Sequence, residues 1–335
     1  MLSLPTDRRD LRTTLQGTPR GRMADPLFRA FVTTTGLLVL FLLGVMIVRT
    51  TIDAWPVFQK EGFLGFLFGE QWTSGQSSSP DPADWTGTYG VLPFVYGTFL
   101  TAAIALVLAL PLAIAVALYI TQVAPRRLRN TLSYWVETLA AVPSIVYGLW
   151  GLLWFVPVVL LPLFRRINAW WGDFFLFAGP VANVNYLSAG VVLAIMILPI
   201  MTAIIREVFA AAPTAETHAA YGMGATRWEV IRRVLIPRSF SGIVGGSMLG
   251  LGRAIGETIA VAMLIGGSQR MGSSLFFGGD SMAAQIVNVF QDAYPEAVLG
   301  LMAIGVALFI FTFLINILAR MLVWRVGRLT GDAAV

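Results

Sequence analysis

The chain has no cysteine, one histidine and one lysine among its 335 residues. Without cysteine there can be no disulfide and no thiolate metal site. A single histidine, His218, rules out a multi-histidine metal or haem site built by this chain alone. The lone lysine, Lys60, sits between Gln59 and Glu61, so there is no phosphate-binding P-loop sequence. Charge is scarce as well. Charged residues make up 12% of the chain against 57% hydrophobic, where a globular domain carries roughly 25% charged residues. With a mean hydropathy of +0.76, the composition describes an all-α polytopic membrane protein.

Apolar runs of ~20 residues are long enough to cross a bilayer, and six can be traced. Residues 1–29 carry six arginines among Pro, Gly and Thr with no apolar period. They read as a mobile cytoplasmic tail. A nucleic-acid-binding arm is the lesser alternative, because a basic flank before a span is ordinary. The first span covers residues 30–50; its apolar run is too long for a cleavable signal. Residues 51–90 turn polar and acidic and form an expected external loop, in which GFLGFLFG is too short to span. A five-helix core is expected over 91–322. Its spans are Leu92–Tyr119, a third over about 132–161, Leu187–Ile205, a fifth from Gly242, and Ala297–Ala319. Glu137, near the basic end of the third, is read as a helix-dipole contact rather than a transport residue. Trp170, Trp171 and Tyr186 fit an aromatic belt and external loop over 162–186. Residues 323–335 form a short C-terminal end.

Basic residues orient the six spans. The tail, residues 120–131, residues 206–242 and the C-terminal stretch from Arg320 hold 17 of the 23 Lys and Arg, and the opposite segments hold five. This asymmetry puts both termini in the cytoplasm.

The remaining basic residue, Arg253, lies inside the fifth span, with Glu257 one turn on. As a continuous helix, the span GIVGGSMLGLGRAIGETIAVAMLIG would put Arg253 about 16 Å past Gly242, near mid-membrane. Each central charge there costs ~2.5–3.5 kcal/mol. On the same helix, Gly242, Gly246 and Gly250 share a face with Arg253 and Glu257, and small residues at this spacing let another helix approach. Two readings stand. Arg253 and Glu257 form a structural i,i+4 ion pair, or Arg253 contacts an anion on a transport path while Glu257 holds its guanidinium.

Upstream, PTAETHAAYGMGATRWEVIRRVLIP reads as helix, glycine break, helix. Pro213 and Thr214 start the first helix and the Gly222–Gly224 region ends it. Thr226 to Glu229 forms a capping box for the second, which Pro237 stops. A compact helical loop between two spans is a place for another protein to push.

His218-Ala219-Ala220, then Gly224, then Val234-Leu235-Ile236-Pro237 resembles the EAA loop of ABC importer permeases. The loop has His218 where glutamate is usual, and Glu216 is a nearby substitute. GLGRAIGETIAVAMLIGG, ETLAAVPSIVYGLWGL and YGVLPFVYGTFLTA are similar to permeases of phosphate-specific (Pst) importers, more to their C-type subunit than to the A-type. This resemblance covers roughly residues 90–322. It implies a type I ABC importer permease core in the cytoplasmic (inner) membrane and inorganic phosphate as substrate. The implied partners are an A-type permease subunit, an ATPase dimer that binds the ATP and Mg, and an extracytoplasmic phosphate-binding protein. No cofactor, catalytic residue or nucleic-acid contact is expected of this chain. The docking loop would use Glu216, His218, Ala219, Ala220, Gly224, Arg227 and Trp228, and the substrate path Arg253 and Glu257.

Other classes fit less well. Sulfate or molybdate could replace phosphate in the same architecture. A channel or stand-alone secondary transporter would need titratable groups at several depths, and a membrane enzyme would need a converging catalytic set.

Overall fold

The computed structural model describes residues 19–79 and 81–329. The basic tail expected over 1–29 lies outside the described residues up to residue 18, as does the C-terminal end from residue 330. The chain divides into two compact units, residues 1–52 and 53–335. Helix α1 (Pro19–Glu61) supplies the described part of the first unit. From residue 26 to 49 its side chains are exposed all round, as in a helix that meets lipid or another apolar surface. The hydroxyls of Thr35, Thr50 and Thr51 donate to carbonyls four residues back, at 2.7–2.9 Å. This satisfies the threonines without water. The helix also runs past residue 50, so the expected external loop begins as helix.

In the second unit a short helix α2 (Phe63–Phe68) precedes a two-stranded hairpin, β1 (Trp72–Thr73) paired antiparallel with β2 (Thr88–Tyr89). Lys60 Nζ donates to the carbonyls of Trp85 at 3.0 Å and Gly87 at 2.6 Å. The buried Glu296 carboxylate accepts from Ser77 N–H at 3.1 Å and Gly87 N–H at 2.8 Å, and it lies 4.0 Å from Lys60. The only lysine and one carboxylate thus hold the hairpin loop in place. Around them Trp72, Trp85, Tyr89, Phe66 and Phe94 form a separate aromatic core.

The remaining helices form the main core. They are α3 (Leu92–Leu118, continued by a π-helical turn to Val123), α4 (Arg126–Ala140), α5 (Ser144–Trp150), α6 (Leu161–Trp171) and α7 (Tyr186–Ala210). After them come α8 (Thr214–Gly222), α9 (Arg227–Val230), α10 (Ile236–Arg238), α11 (Phe240–Gly256), α12 (Ile259–Ile265), α13 (Met282–Phe290) and α14 (Pro295–Leu329). Among the described residues, five helical segments are long and apolar enough to span: 26–61, 92–123, 144–171, 186–210 and 295–321. They become six if the pair 227–238 and 240–256, bent by 68°, counts as one.

Helix α7 is central. Ala105, Ala109, Ala113 and Ala117 line the buried side of α3, its most extensively packed neighbour. The glycine stripe of α11 also meets α7, and α11 touches α3 as well. A methyl on Gly250 would lie 2.5 Å from Met201, one on Gly246 would crowd Ile205, and one on Gly242 would run into Val208. Small residues every fourth position let helix axes approach closely, which is how apolar helices associate where lipid removes the hydrophobic drive. The partner of the glycine stripe is therefore another helix of this chain.

Two spans differ from expectation. The third starts at Ser144 and runs helically to Trp171, through a π-helical segment 151–160, rather than over 132–161. Residues 126–140 form the separate helix α4. Pro143, with extended backbone (ψ 140°), opens α5 rather than kinking a longer helix, since the residues around a proline favour helix starts over interiors. The fifth span is broken: α11 ends at Gly256, and Glu257 is extended (φ −72°, ψ 127°) before α12.

Between the last two spans, Asp280 is 2% exposed. Its Oδ1 accepts from Ser281 N–H at 2.7 Å. The Gln285 amide, with its nitrogen toward Asp280, donates to Oδ2 at 3.0 Å and accepts from Trp72 Nε1 at 3.1 Å, tying the hairpin to α13. Burial raises the Asp280 carboxyl to about 7, opposed in part by the Ser281 N–H. An unfolded aspartate releases its proton near ~3.9, so the folded protein binds the extra proton between about pH 4 and 7. Stability therefore falls as pH rises through that window and levels off above it. Asp280→Asn keeps an acceptor and cannot ionise. Its melting temperature should exceed wild type by a margin that grows from about pH 5 to about pH 8; an offset independent of pH would contradict the assignment.

Candidate functional site

The polar loop after α7 is built as its sequence demands. Pro213 starts α8, and Gly224 takes the left-handed conformation at φ +86°, which glycine reaches without the Cβ penalty. Gly224 N–H closes the turn on Tyr221 O at 2.9 Å, and Ala225 N–H reaches Ala220 O at 3.1 Å. Both halves of the capping box form: Glu229 N–H donates to Thr226 Oγ1 at 3.4 Å, and Thr226 N–H to Glu229 Oε2 at 2.9 Å. The second helix continues through Pro237 as α9, a π-helical turn and α10, and the direction changes at Ser239.

The loop presents a mixed apolar and polar face. Glu216, His218, Ala219, Gly224, Arg227 and Trp228 are exposed, Trp228 at 64%, whereas Ala220 is buried. Glu216 Oε1 lies 3.6 Å from Arg238 Nε, an internal tie across the loop. Met223, 83% exposed, and Tyr221 belong to the same face. Sequence reasoning passed over both, though a large apolar side chain beside an obligatory left-handed glycine has nowhere to bury. An exposed tryptophan and methionine on a rigid helical turn are side chains of the kind that protein interfaces bury.

Behind the loop lies a cavity of about 710 Å³, whose walls include Arg129, Asn130 and Glu137 from α4, Arg206 from α7, and His218 and Tyr221 from α8. Arg206 Nη2 pairs with Glu137 at 3.0 Å and with Glu207 at 2.7 Å. Glu137 is thus an interhelical ion-pair partner, not a helix-dipole contact.

The structure separates Arg253 from Glu257. Helix α11 buries Ile243, Gly246, Ser247, Gly250 and Ala254, and exposes Gly245, Leu249, Gly252, Arg253 and Gly256. Arg253 therefore leaves the buried glycine stripe and points off an open face of small residues. Past the break Glu257 is 8% exposed, with Oε1 3.5 Å from Ala260 N–H at the start of α12. A helix break in apolar surroundings leaves donors without intrahelical partners, and this carboxylate takes one. The expected i,i+4 ion pair does not form, because the backbone turns extended before Glu257 is reached. Among the described residues no carboxylate pairs with Arg253. Tyr147 lies within electrostatic range of the guanidinium.

Comparison with known proteins adds an independent line. Residues 109–328 match the family described as binding-protein-dependent transport system inner membrane component. The chain is 39% identical over 320 residues to the phosphate transport system permease protein PstC of Mesorhizobium japonicum, covering 93% of this chain and 94% of that protein. It is 36% identical to PstC of Pasteurella multocida, covering 91% and 93%. It is 43% identical over 240 residues to PstC 2 of Mycobacterium tuberculosis, covering 69% and 73%. A bacterial alginate ABC transporter, solved with its alginate pentasaccharide-bound periplasmic protein, superposes with a TM-score of 0.55 at 16% identity, over 91% of this chain and 97% of that one. The inward-facing MetNI methionine transporter gives 0.51 at 20% identity, covering 71% and 94%. At these identities the structures share the fold.

Separated side chains should act independently. In a double-mutant cycle on melting of the purified protein, Arg253→Leu and Glu257→Gln should be additive within about 0.5 kcal/mol. Arg253→Leu alone should be nearly silent, and Glu257→Leu should destabilise by about 1 kcal/mol through the lost cap. Coupling above 1 kcal/mol would restore the ion pair.

Proposed function

The chain belongs to the family of binding-protein-dependent transport system inner membrane components, and from that membership we propose that it is the permease subunit through which inorganic phosphate crosses the cytoplasmic membrane in an ATP-driven importer. The observation that carries the substrate is identity of 36–39% along more than nine-tenths of the chain to phosphate transport permeases. The chain is a non-catalytic membrane subunit. An ATPase dimer, which binds the ATP and Mg, docks on the loop around Trp228 and Met223. An extracytoplasmic binding protein delivers the anion, and an A-type permease closes the path. Both termini face the cytoplasm, in line with the distribution of basic residues.

In this scheme Arg253 is the anion contact. Its planar fork gives directional, charge-assisted hydrogen bonds to a tetrahedral oxyanion. One unneutralised guanidinium lowers the desolvation barrier without trapping the ion, and passage requires such moderate binding. Glu257 does not hold Arg253. It stabilises the break in the span, which sets where α11 ends. Closure of the ATPases moves the docking loop, and the 68° junction at Ser239 carries that movement into α11.

The test uses the full assembly in vesicles, with binding-protein-stimulated ATP hydrolysis and phosphate uptake read together. Arg253→Lys should assemble and hydrolyse ATP while uptake falls about ten-fold, a loss of about 1.4 kcal/mol in passage. Uptake at the wild-type rate would remove Arg253 from the path. At Gly224, asparagine tolerates the left-handed backbone, whereas a β-branched residue is strained there by about 1–2 kcal/mol. Gly224→Asn should therefore keep hydrolysis and uptake coupled, and Gly224→Val should uncouple them. Equal behaviour of the two variants would count against docking through this turn. Uptake that survives ATP depletion would instead favour a secondary transporter.

A further inference from the structure

Helix α4, residues 126–140, is amphipathic. At ~100° per residue, Arg129, Asn130, Ser133, Tyr134 and Glu137 fall on one side, and these line the open cavity behind the docking loop. Leu128, Trp135 and Leu139 fall on the opposite side and are 46%, 59% and 47% exposed. The polar face borders the open cavity and the apolar face is exposed on the far side. With 15 residues, α4 is about 22 Å long and too short to cross the ~30 Å hydrocarbon core. Its ends are also fixed. Pro125 separates it from the span that ends at Val123, and Ala141–Pro143 separates it from the span that begins at Ser144. Successive spans run in opposite directions, so both ends of α4 meet the same membrane face and the helix must lie along that face. That face is cytoplasmic in the orientation proposed above, on which this inference rests.

We propose that α4 lies in the cytoplasmic boundary of the bilayer, with Leu128, Trp135 and Leu139 among the acyl chains and Arg126 and Arg127 on anionic lipid headgroups. Arg126 and Arg127 are exposed at its first turn, and Arg129 is tied back to the preceding turn, its Nη2 donating to Thr121 O at 2.6 Å. A basic first turn on a helix with an exposed apolar face and a tryptophan near its middle is the pattern of helices that rest in the headgroup region. Each arginine near an anionic surface adds about a five-fold preference, the equivalent of about 1 kcal/mol. Anionic lipid thereby holds one wall of the cavity whose opposite wall is the docking helix α8, through Thr217, His218 and Tyr221.

The absence of native cysteine makes the test direct. Single nitroxides are placed at Leu128→Cys and Leu139→Cys on the outer face, and at Asn130→Cys and Ser133→Cys on the cavity face. The complete transporter is then reconstituted in phosphatidylcholine vesicles with and without phosphatidylglycerol. Probes at 128 and 139 should collide with oxygen and be shielded from an aqueous nickel chelate; those at 130 and 133 should show the reverse. The 139 probe should prefer phosphatidylglycerol over phosphatidylcholine, and Arg126→Gln with Arg127→Gln should cut that preference by about five-fold per arginine. Nickel access at 128 and 139 in vesicles would overturn the proposal. Shielding from both reagents that persists in detergent would also overturn it, by showing a protein partner on this face. Collision rates are read without any uptake, so a transporter that failed to carry phosphate would still report the position of α4.

Discussion

The structure depends on how closely helix α7 can be approached. In lipid an apolar side chain gains little by leaving its surroundings for another apolar one, so helices associate through packing at short range. Alanines every fourth residue on α3 provide that approach for one neighbour of α7, and the glycines of α11 provide it for another. The result fixes α11 along its buried face and leaves its other face, with Arg253, open. A bulkier stripe at 242, 246 and 250 would push α11 away from α7 and change where Arg253 points. The glycine stripe thus acts on the candidate path without touching it.

The loop after α7 was readable because its signals are local. A proline start, a left-handed glycine and a capping box each depend on a few neighbouring residues, and all appear where the sequence puts them. The broken fifth span was not readable, because nothing between Gly256 and Ile259 breaks a helix by propensity alone. Thr258 lowers helix propensity only slightly. The break rests on a local cap, Glu257 to Ala260 N–H, and on the packing of α12 against α5 and α7, and the second is a tertiary fact. The same limit displaced the third span. Leu132, Trp135, Val136 and Leu139 look like the start of an apolar run, and only the polar cavity on the other side shows why they belong to a surface helix. Hydropathy counts apolar residues but does not say which way they face.

The pair of polar groups between the spans, Asp280 and Glu296, shows two solutions to burying a carboxylate. Glu296 has backbone N–H donors and a nearby ammonium, so its charge is matched. Asp280 has one backbone donor and an amide, which is too little to hold a charge at full strength in low dielectric, and its affinity for the proton rises. Both tie loops to helix starts, so the hairpin and α13 form one connected layer over the ends of the spans. That layer is composed of short pieces, and hydrogen bonds to carboxylates supply the fixed geometry that two-residue strands alone cannot.

The separation of Arg253 from Glu257 carries the mechanism further than a paired arrangement would. A guanidinium neutralised by a carboxylate one turn away offers an anion little net field, because attraction and repulsion act from nearly the same distance. With the carboxylate turned back onto α12, the positive charge stands alone on an open face of small residues. Gly252 and Gly256 leave open space on this face, and Leu249, one turn earlier, is the large apolar side chain exposed beside Arg253. The break that costs α11 its continuity also frees its end to move relative to α12. In the proposed scheme, movement of the loop through Ser239 repositions Arg253 while α12 stays packed against α5 and α7. A continuous helix would have to move as a whole and would drag its far end through the core; a broken one confines the change to the segment that carries the charge.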